Sequence, residues 1–74
     1  MRTTLDVYYD KNHCSLIKDK SVVRYADRLW VYHGAWMDDK TGKIKVLLSS
    51  QRTGKMRLVH DRHRKEIELE YNLV

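Results

Sequence analysis

Residues 40–43 read Lys-Thr-Gly-Lys and residues 52–55 read Arg-Thr-Gly-Lys, so one four-residue pattern recurs after twelve residues. A three-residue β-hairpin loop ends in a residue at positive φ, a conformation that glycine adopts without the steric clash of a Cβ atom. Each pattern therefore predicts a hairpin turn, with Gly42 and Gly54 in the left-handed conformation.

The residues that flank the two turns have the composition of β-strands. Residues 29–32, 44–48 and 56–59 are rich in β-branched, aromatic and aliphatic side chains, which favour strands. Two hairpin turns between three such segments predict a three-stranded antiparallel meander. We expect a mostly β fold built on this meander, either a small twisted antiparallel sheet or a partly open barrel.

The loop length also predicts the register of the meander. A three-residue loop sets Asp39 opposite Lys43 and Gln51 opposite Lys55, and directly opposed side chains share one face of the sheet. The predicted core face then consists of Trp30, Tyr32, Trp36, Ile44, Val46, Leu48, Met56 and Leu58.

A loop that is longer by one residue gives a different arrangement, because a slip of one residue exchanges the two faces of a strand. Under that alternative, Trp30, Tyr32 and Trp36 stand beside Lys45 as an exposed aromatic and basic platform. The loop chemistry favours the first arrangement, in which Trp30 and Trp36 are both shielded in the core.

Segments near both ends of the chain alternate in the same way. Leu5, Val7 and Tyr9 have the spacing of a strand with one buried face, and residues 14–17 are compatible with a second short strand. Between residues 66 and 74, apolar residues alternate with Glu and Asn. We expect this last segment to form a strand whose acidic face neutralises basic residues on a neighbouring strand.

Residues 21–29 are ambiguous. Ser21 is an acceptable N-cap for a short helix, and the apolar residues that follow have helical spacing. The adjacent β-branched residues Val22 and Val23 favour a strand. We expect a strand or an extended segment, with one short helix near residues 21–29 as the alternative.

The chain has 74 residues, which is enough for a single small domain over residues 1–74. No apolar run approaches the roughly 20 residues that a membrane-spanning helix needs, and the N-terminal residues lack the apolar segment of a signal peptide. Cys14 is the only cysteine, so no internal disulfide can form. We therefore expect a cytoplasmic protein with no membrane association.

The positive charge is concentrated in the hairpin region. Residues 1–39 contain six Lys or Arg and six Asp, whereas residues 40–65 contain nine Lys or Arg and one Asp, a net charge of +8. Residues 66–74 carry only three Glu. Such an asymmetric distribution is typical of proteins that bind a polyanion.

The charge distribution favours a small, basic, non-catalytic protein that binds DNA or RNA. Successive turns of a meander lie at alternate ends of the sheet, and Lys45 and Arg57, placed on one face by the predicted register, would connect the two ends. A stripe of cations can follow a phosphate backbone. The predicted nucleic-acid-binding residues are Lys40, Lys43, Lys45, Arg52, Lys55, Arg57, Arg62, Arg64 and Lys65.

A second hypothesis is a protein-interaction module, such as a regulator or inhibitor, that docks on an acidic protein partner. The predicted face opposite the core carries apolar side chains that a partner or a second copy in a homodimer would cover. These side chains are Leu29, Val31, Ala35, Met37, Leu47 and Val59.

No enzyme or metal signature is present. Thr53-Gly54-Lys55 lacks the upstream glycine and the following Ser or Thr of a phosphate-binding loop. His60, His63, His13 and Cys14 are ligand types that bind zinc, but their spacing does not match the paired spacing of structural zinc sites. We expect neither catalysis nor a bound metal or cofactor.

Overall fold

The computed structural model describes residues 2–74. These residues form short strands near the N-terminus, a long central meander, one 3-10 helix and a final strand. The elements are β1 (Arg2–Thr4), β2 (Tyr8–Tyr9), β3 (Ser15–Leu16), β4 (Ser21–Tyr25), β5 (Arg28–Asp38), β6 (Ile44–Ser50), β7 (Met56–His60), the 3-10 helix (Asp61–Glu66) and β8 (Glu68–Asn72).

The main sheet is antiparallel and has the strand order β7-β6-β5-β4-β8. Strand β5 is long enough to pair with β4 along its first half and with β1 along its second half. Strands β2 and β3 form a separate small hairpin. The prediction of a mostly β fold built on the β5-β6-β7 meander is confirmed, and the sheet is open, with β7 and β8 at its edges, rather than closed into a barrel.

Both Thr-Gly-Lys segments form hairpin turns, but each loop contains four residues instead of three. In the first turn, the Gly42 amide donates to the Asp38 carbonyl at 2.7 Å and the Asp38 amide donates to the Lys43 carbonyl at 2.8 Å. In the second turn, Gly54 and Lys55 make the same two contacts with Ser50, at 2.7 and 2.8 Å.

The side chains and glycines of the two turns are also equivalent. The Thr41 hydroxyl accepts a hydrogen bond from the Lys43 amide, and the Thr53 hydroxyl accepts one from the Lys55 amide, both at 3.3 Å. Gly42 and Gly54 have φ values of 71° and 77°, in the left-handed region that was predicted for them. In each four-residue loop the last residue is a glycine at positive φ, as it would be in a three-residue loop. The pattern therefore predicted the turns correctly but not their length.

The longer first loop shifts the register of β5 against β6 by one residue. Trp36 lies opposite Lys45, not opposite Val46 as predicted. A β-bulge between Tyr32 and Gly34 inserts one further residue, so that Tyr32 lies opposite Leu48. The bulge returns the first half of β5 to the predicted face, so Trp30 and Tyr32 are buried as predicted. Trp36 lies beyond the bulge, and the prediction that it is in the core is wrong.

The second loop causes the same slip, and no bulge compensates for it. Val59 lies opposite Val46 and is buried, although it was predicted on the face opposite the core. Met56 and Leu58, predicted in the core, are instead 57% and 52% exposed. The predicted faces of β7 are therefore exchanged, as expected for a one-residue slip.

The core lies between one face of the main sheet and the β2-β3 hairpin. The ring of Tyr8 on β2 stacks on the ring of Tyr32, with centroids 6.1 Å apart, and its hydroxyl donates to Asp61 Oδ1 at 2.6 Å. This contact connects the hairpin to the 3-10 helix. The buried cluster consists of Tyr8, Leu16, Val23, Tyr25, Trp30, Tyr32, Ala35, Val46, Leu48, Val59 and Ile67.

The N-terminal segment differs from the continuous strand that its alternation predicted. Strand β1 ends at Thr4 and pairs with β5, whereas β2 pairs with β3, so the chain changes partners between them. As a result Tyr8 is buried, while Val7 and Tyr9, predicted on the buried face, are 51% and 43% exposed. Alternation cannot show where a chain changes partners.

Residues 21–29 form a hairpin and not a helix. Strand β4 ends at Tyr25, and Ala26 and Asp27 have φ values of 52° and 61°, as required in a two-residue hairpin turn. Strand β8 pairs with the other side of β4, and Glu70 accepts a hydrogen bond from Arg24 at 2.8 Å. The expected neutralisation of basic residues by the acidic final strand is confirmed.

Candidate functional site

The face of the main sheet opposite the core, which we call the outer face, carries an aromatic residue and several cations. Its side chains alternate with the buried ones along β5, β6 and β7. The residues on this face of the meander are Val31, Gly34, Trp36, Lys45, Leu47, Ser49, Met56, Leu58 and His60.

One row crosses the outer face near the first turn. Trp36 on β5 lies opposite Lys45 on β6, and Lys45 lies opposite His60 on β7. On the other side of Trp36, β1 places Thr4 opposite it and brings the guanidinium carbon of Arg2 to 4.4 Å from the indole ring centroid. The half-buried indole is therefore flanked by cations on two sides.

Two neighbouring grooves extend this row towards the first turn and the 3-10 helix. A groove of about 420 Å³ is lined by Arg2, Trp36, Asp38, Lys40 and Lys45. A second groove, of about 450 Å³, is lined mainly by residues of the first turn and by His60, Asp61 and Arg62. We call the combined surface the basic platform, defined as Arg2, Trp36, Lys40, Lys43, Lys45, His60 and Arg62.

Cations outnumber carboxylates on the basic platform, where five Lys and Arg residues face only Asp38 and Asp61 within the two grooves. Partial loss of hydration, together with the positive charges of Arg62, Lys45 and Lys43, lowers the pKa of His60 below its usual value. A neighbouring positive charge disfavours protonation of an imidazole, and a nearby anion would favour it. The part of this shift that comes from Arg62, Lys45 and Lys43 shows that these cations lie close to the imidazole.

The structure brings together four of the nine predicted nucleic-acid-binding residues and separates the rest. Lys40, Lys43, Lys45 and Arg62 lie on the basic platform. The other five lie elsewhere: Arg52 and Lys55 at the second turn, Arg57 on β7, and Arg64 and Lys65 in the 3-10 helix.

Arg57 is on the opposite side of the sheet from Lys45. It lies opposite Leu48, and its guanidinium carbon is 5.4 Å from the ring centroid of the buried Tyr25. The prediction that Lys45 and Arg57 share a face is wrong, because the second loop is one residue longer than expected. The cations of the outer face therefore form a patch at one end of the sheet and not a stripe along it.

Sequence reasoning did not include Arg2 or His60 in the site, and it considered Trp36 only in the alternative register. Arg2 reaches the platform because β1 pairs with the end of β5, a contact between distant parts of the chain. His60 joins the row because the second loop has four residues. In the sequence, the role of Trp36 was indicated only by the alternative register, in which a longer first loop places Trp36 beside Lys45.

The apolar part of the outer face lies beside the basic platform. Leu47 is half-buried, and Leu58, directly opposite it, is exposed, as is Met56 at the start of β7. Of the six apolar residues predicted for this face, Leu29, Val31 and Leu47 lie on it. The prediction is wrong for Ala35 and Val59, which are in the core, and for Met37, which lies opposite Ile44 on the core side.

His33 occupies the bulge of β5 and joins two other segments. Its Nδ1 lies 2.6 Å from Asp19 Oδ1, and its Nε2 lies 2.6 Å from Ser49 Oγ. This order of carboxylate, imidazole and hydroxyl also occurs in nucleophilic enzymes, where the hydroxyl must reach a substrate. Ser49 is only 9% exposed and lies on β6, between β5 and β7, so its hydroxyl is poorly placed to reach a substrate. We therefore assign the contacts of His33 a structural role at the bulge.

Other kinds of site are not evident in the part of the chain that the structure describes. Over residues 2–74, no three or more His, Cys, Asp or Glu side chains are grouped in a way that could hold a metal ion. Within the same range, no helix has the length and apolar character needed to cross a membrane.

Comparison with protein-family models, with curated proteins and with solved structures finds no significant match to this chain.

Proposed function

We propose that this protein is a non-catalytic nucleic-acid-binding protein that contacts its ligand through the basic platform. The observation that carries the proposal is the row in which Trp36, Lys45 and His60 lie side by side on an exposed sheet face, with Arg2 over the indole. Cations that surround an aromatic ring supply both kinds of contact that nucleic acids offer, to phosphates and to bases.

The charges of the platform favour a polyanion over a single small anion. Its five Lys and Arg residues come from β1, the first turn, β6 and the 3-10 helix, and only Asp38 and Asp61 oppose them within the two grooves. Each phosphate contact releases condensed counterions, so affinity falls steeply with salt. About four such contacts on a duplex give a slope near −3.6 in a plot of log affinity against log salt.

A second candidate function is docking on an acidic protein partner, as a regulator or inhibitor would do. The exposed Leu58 and Met56 beside Leu47 favour it, because an apolar area next to cations fits a protein surface that is both apolar and acidic. Nucleic acid remains the first proposal because the indole lies among the cations and not among these aliphatic side chains.

The repeated turn supplies a matched pair of variants for the test. Lys43 and Lys45 have the same positions relative to the first turn as Lys55 and Arg57 have relative to the second. The variants Lys43→Gln/Lys45→Gln and Lys55→Gln/Arg57→Gln therefore lose the same charge, but only the first pair lies on the basic platform.

Fluorescence anisotropy with labelled DNA and RNA at about 50 mM salt measures the effect, since electrostatic affinity is greatest at low ionic strength. We expect the first variant to bind roughly ten-fold or more weakly and to show a smaller salt slope, and the second to change much less. Equal losses in both variants would contradict a localised platform. Undetectable binding to any nucleic acid would favour the acidic protein partner.

A further inference from the structure

On the basis of the proposed function, we infer that the ligand is a single strand and that one unpaired base stacks against Trp36 in the groove beside Lys45. The shape and surroundings of the indole, and not the net charge of the protein, select a single strand over a duplex.

The position of Trp36 suits a base that is not part of a duplex. Within a duplex, each base is paired and stacked on its neighbours, so that an indole on a sheet surface meets only phosphates and groove edges. A single strand can turn a base outward and place its ring against an aromatic side chain, as β-sheet proteins that bind single strands do. Trp36 is half-buried, which fixes the indole, and the Arg2 guanidinium lies 4.4 Å from its ring centroid. The base therefore stacks on the accessible part of the indole and the adjoining guanidinium plane, both of which are surfaces that unpaired bases use.

The outer face also has room for a flat ring beside the indole. Gly34 precedes Trp36 by two residues on β5 and lies opposite Leu47. A Cβ atom added to Gly34 would have no other atom within 4 Å. Gly34 lines a separate groove of about 410 Å³ together with Arg2 and Trp36, whereas the groove beside Lys45 supplies about 420 Å³ of its own for the base.

The cations are placed to hold the phosphates on either side of that base. Arg2, Lys40 and Lys45 line the same groove as Trp36, and Lys43, His60 and Arg62 line the adjacent one. The row from Trp36 to His60 crosses two strand spacings, a distance of about 10 Å. At about 3.4 Å per nucleotide along one strand, this row alone spans roughly three nucleotides, and the other cations of the platform extend the contact on either side.

The experiment compares three probes at about 50 mM salt: an oligothymidine of about 12 nucleotides, an abasic strand of the same length, and a duplex of the same length. The abasic strand has the same phosphates but no rings to stack. We expect the wild-type protein to bind the oligothymidine about ten-fold or more tightly than the abasic strand.

The variants Trp36→Ala and Trp36→Phe then test the contact itself. Trp36→Ala should weaken binding to the oligothymidine by roughly 10- to 100-fold and should affect the abasic strand and the duplex much less. Trp36→Phe keeps an aromatic ring and should recover most of the loss. The comparison of probes on the wild-type protein remains decisive even if Trp36→Ala does not fold.

The outcomes separate this inference from the proposed function. Similar affinities for the oligothymidine and the abasic strand, or equal losses on all three probes in Trp36→Ala, would overturn the stacked base and leave nucleic-acid binding intact. No binding to any of the three probes would overturn the proposed function itself.

Discussion

Trp30 and Trp36 lie six residues apart on β5, yet they face opposite sides of the sheet. Trp30 is 7% exposed, and its indole nitrogen donates to the Tyr25 carbonyl at 2.9 Å inside the core. Trp36 lies on the outer face beneath Arg2. In a regular strand an even spacing places two residues on the same side, so the bulge between Tyr32 and Gly34 is what separates them.

This comparison shows that one extra residue in a strand can convert a core position into a surface position. The first half of β5 carries the core aromatics Trp30 and Tyr32, and burial raises the pKa of Tyr32 to about 12. The second half, beyond the bulge, contributes only Ala35 to the core and presents Trp36 outward. The same strand therefore contributes to the core at one end and to the basic platform at the other.

The largest expected effect is a difference in stability between the two alanine variants. Trp30→Ala should lower the free energy of unfolding by about 3–5 kcal/mol, because it leaves a cavity and removes a buried hydrogen bond. Trp36→Ala should lower it less, by about 2 kcal/mol, since the indole is only partly buried at the outer face and its removal opens no enclosed cavity. Urea denaturation followed by circular dichroism measures both values, and equal losses would place Trp36 in the core.

A change at the bulge should have an intermediate effect. Gly34 has a φ of 127°, and an added Cβ would contact nothing, so the cost of Gly34→Ala comes from the backbone alone. We expect a loss of about 1–3 kcal/mol in the free energy of unfolding, together with altered near-ultraviolet dichroism from the tryptophans. Gly54→Ala, in the turn away from the platform, is the control, and it should leave the tryptophan signal unchanged.

The smallest expected effect is a change in the titration of His60, which reports on the surroundings of Trp36. The lowered pKa of His60 should move back towards its ordinary value in Lys43→Gln/Lys45→Gln, because two of the cations that lower it are removed. Nucleic acid should raise this pKa, since phosphates favour the protonated imidazole. By linkage, affinity should then increase as the pH falls through the pKa of His60.

Nuclear magnetic resonance titration of the His60 ring measures these shifts with and without an oligonucleotide. If nucleic acid binds and leaves the pKa of His60 unchanged, then the phosphates lie away from the row that contains Trp36 and Lys45. That result would contradict the location of the site without contradicting binding.

The sequence was sufficient to predict the elements that depend on local chemistry. Gly42 and Gly54 mark both turns, and the composition of their flanks indicates the three strands of the meander. Three-residue and four-residue loops both end in a left-handed glycine, however, so the pattern did not determine the register. His33, the residue of the bulge, contacts Asp19 and Ser49, which are distant from it in the chain, so local sequence does not indicate the bulge.

The candidate site was predictable to a similar extent. The charge distribution identified Lys40, Lys43, Lys45 and Arg62, because a concentration of basic residues is visible without a structure. Arg2 was missed because its place on the platform requires the pairing of β1 with β5. Trp36 changed role because two local irregularities, the longer loop and the bulge, act on the same strand.

The repeated turn also has a consequence for the order in which the molecule folds. Strands β5, β6 and β7 are joined by two short loops, whereas β8 pairs with β4 across most of the chain. Closing a short loop costs less conformational entropy than closing a long one, so we expect the meander to form before β8 docks. Trp36, Lys45 and His60 would then be aligned while Ile67, just before β8, is still outside the core.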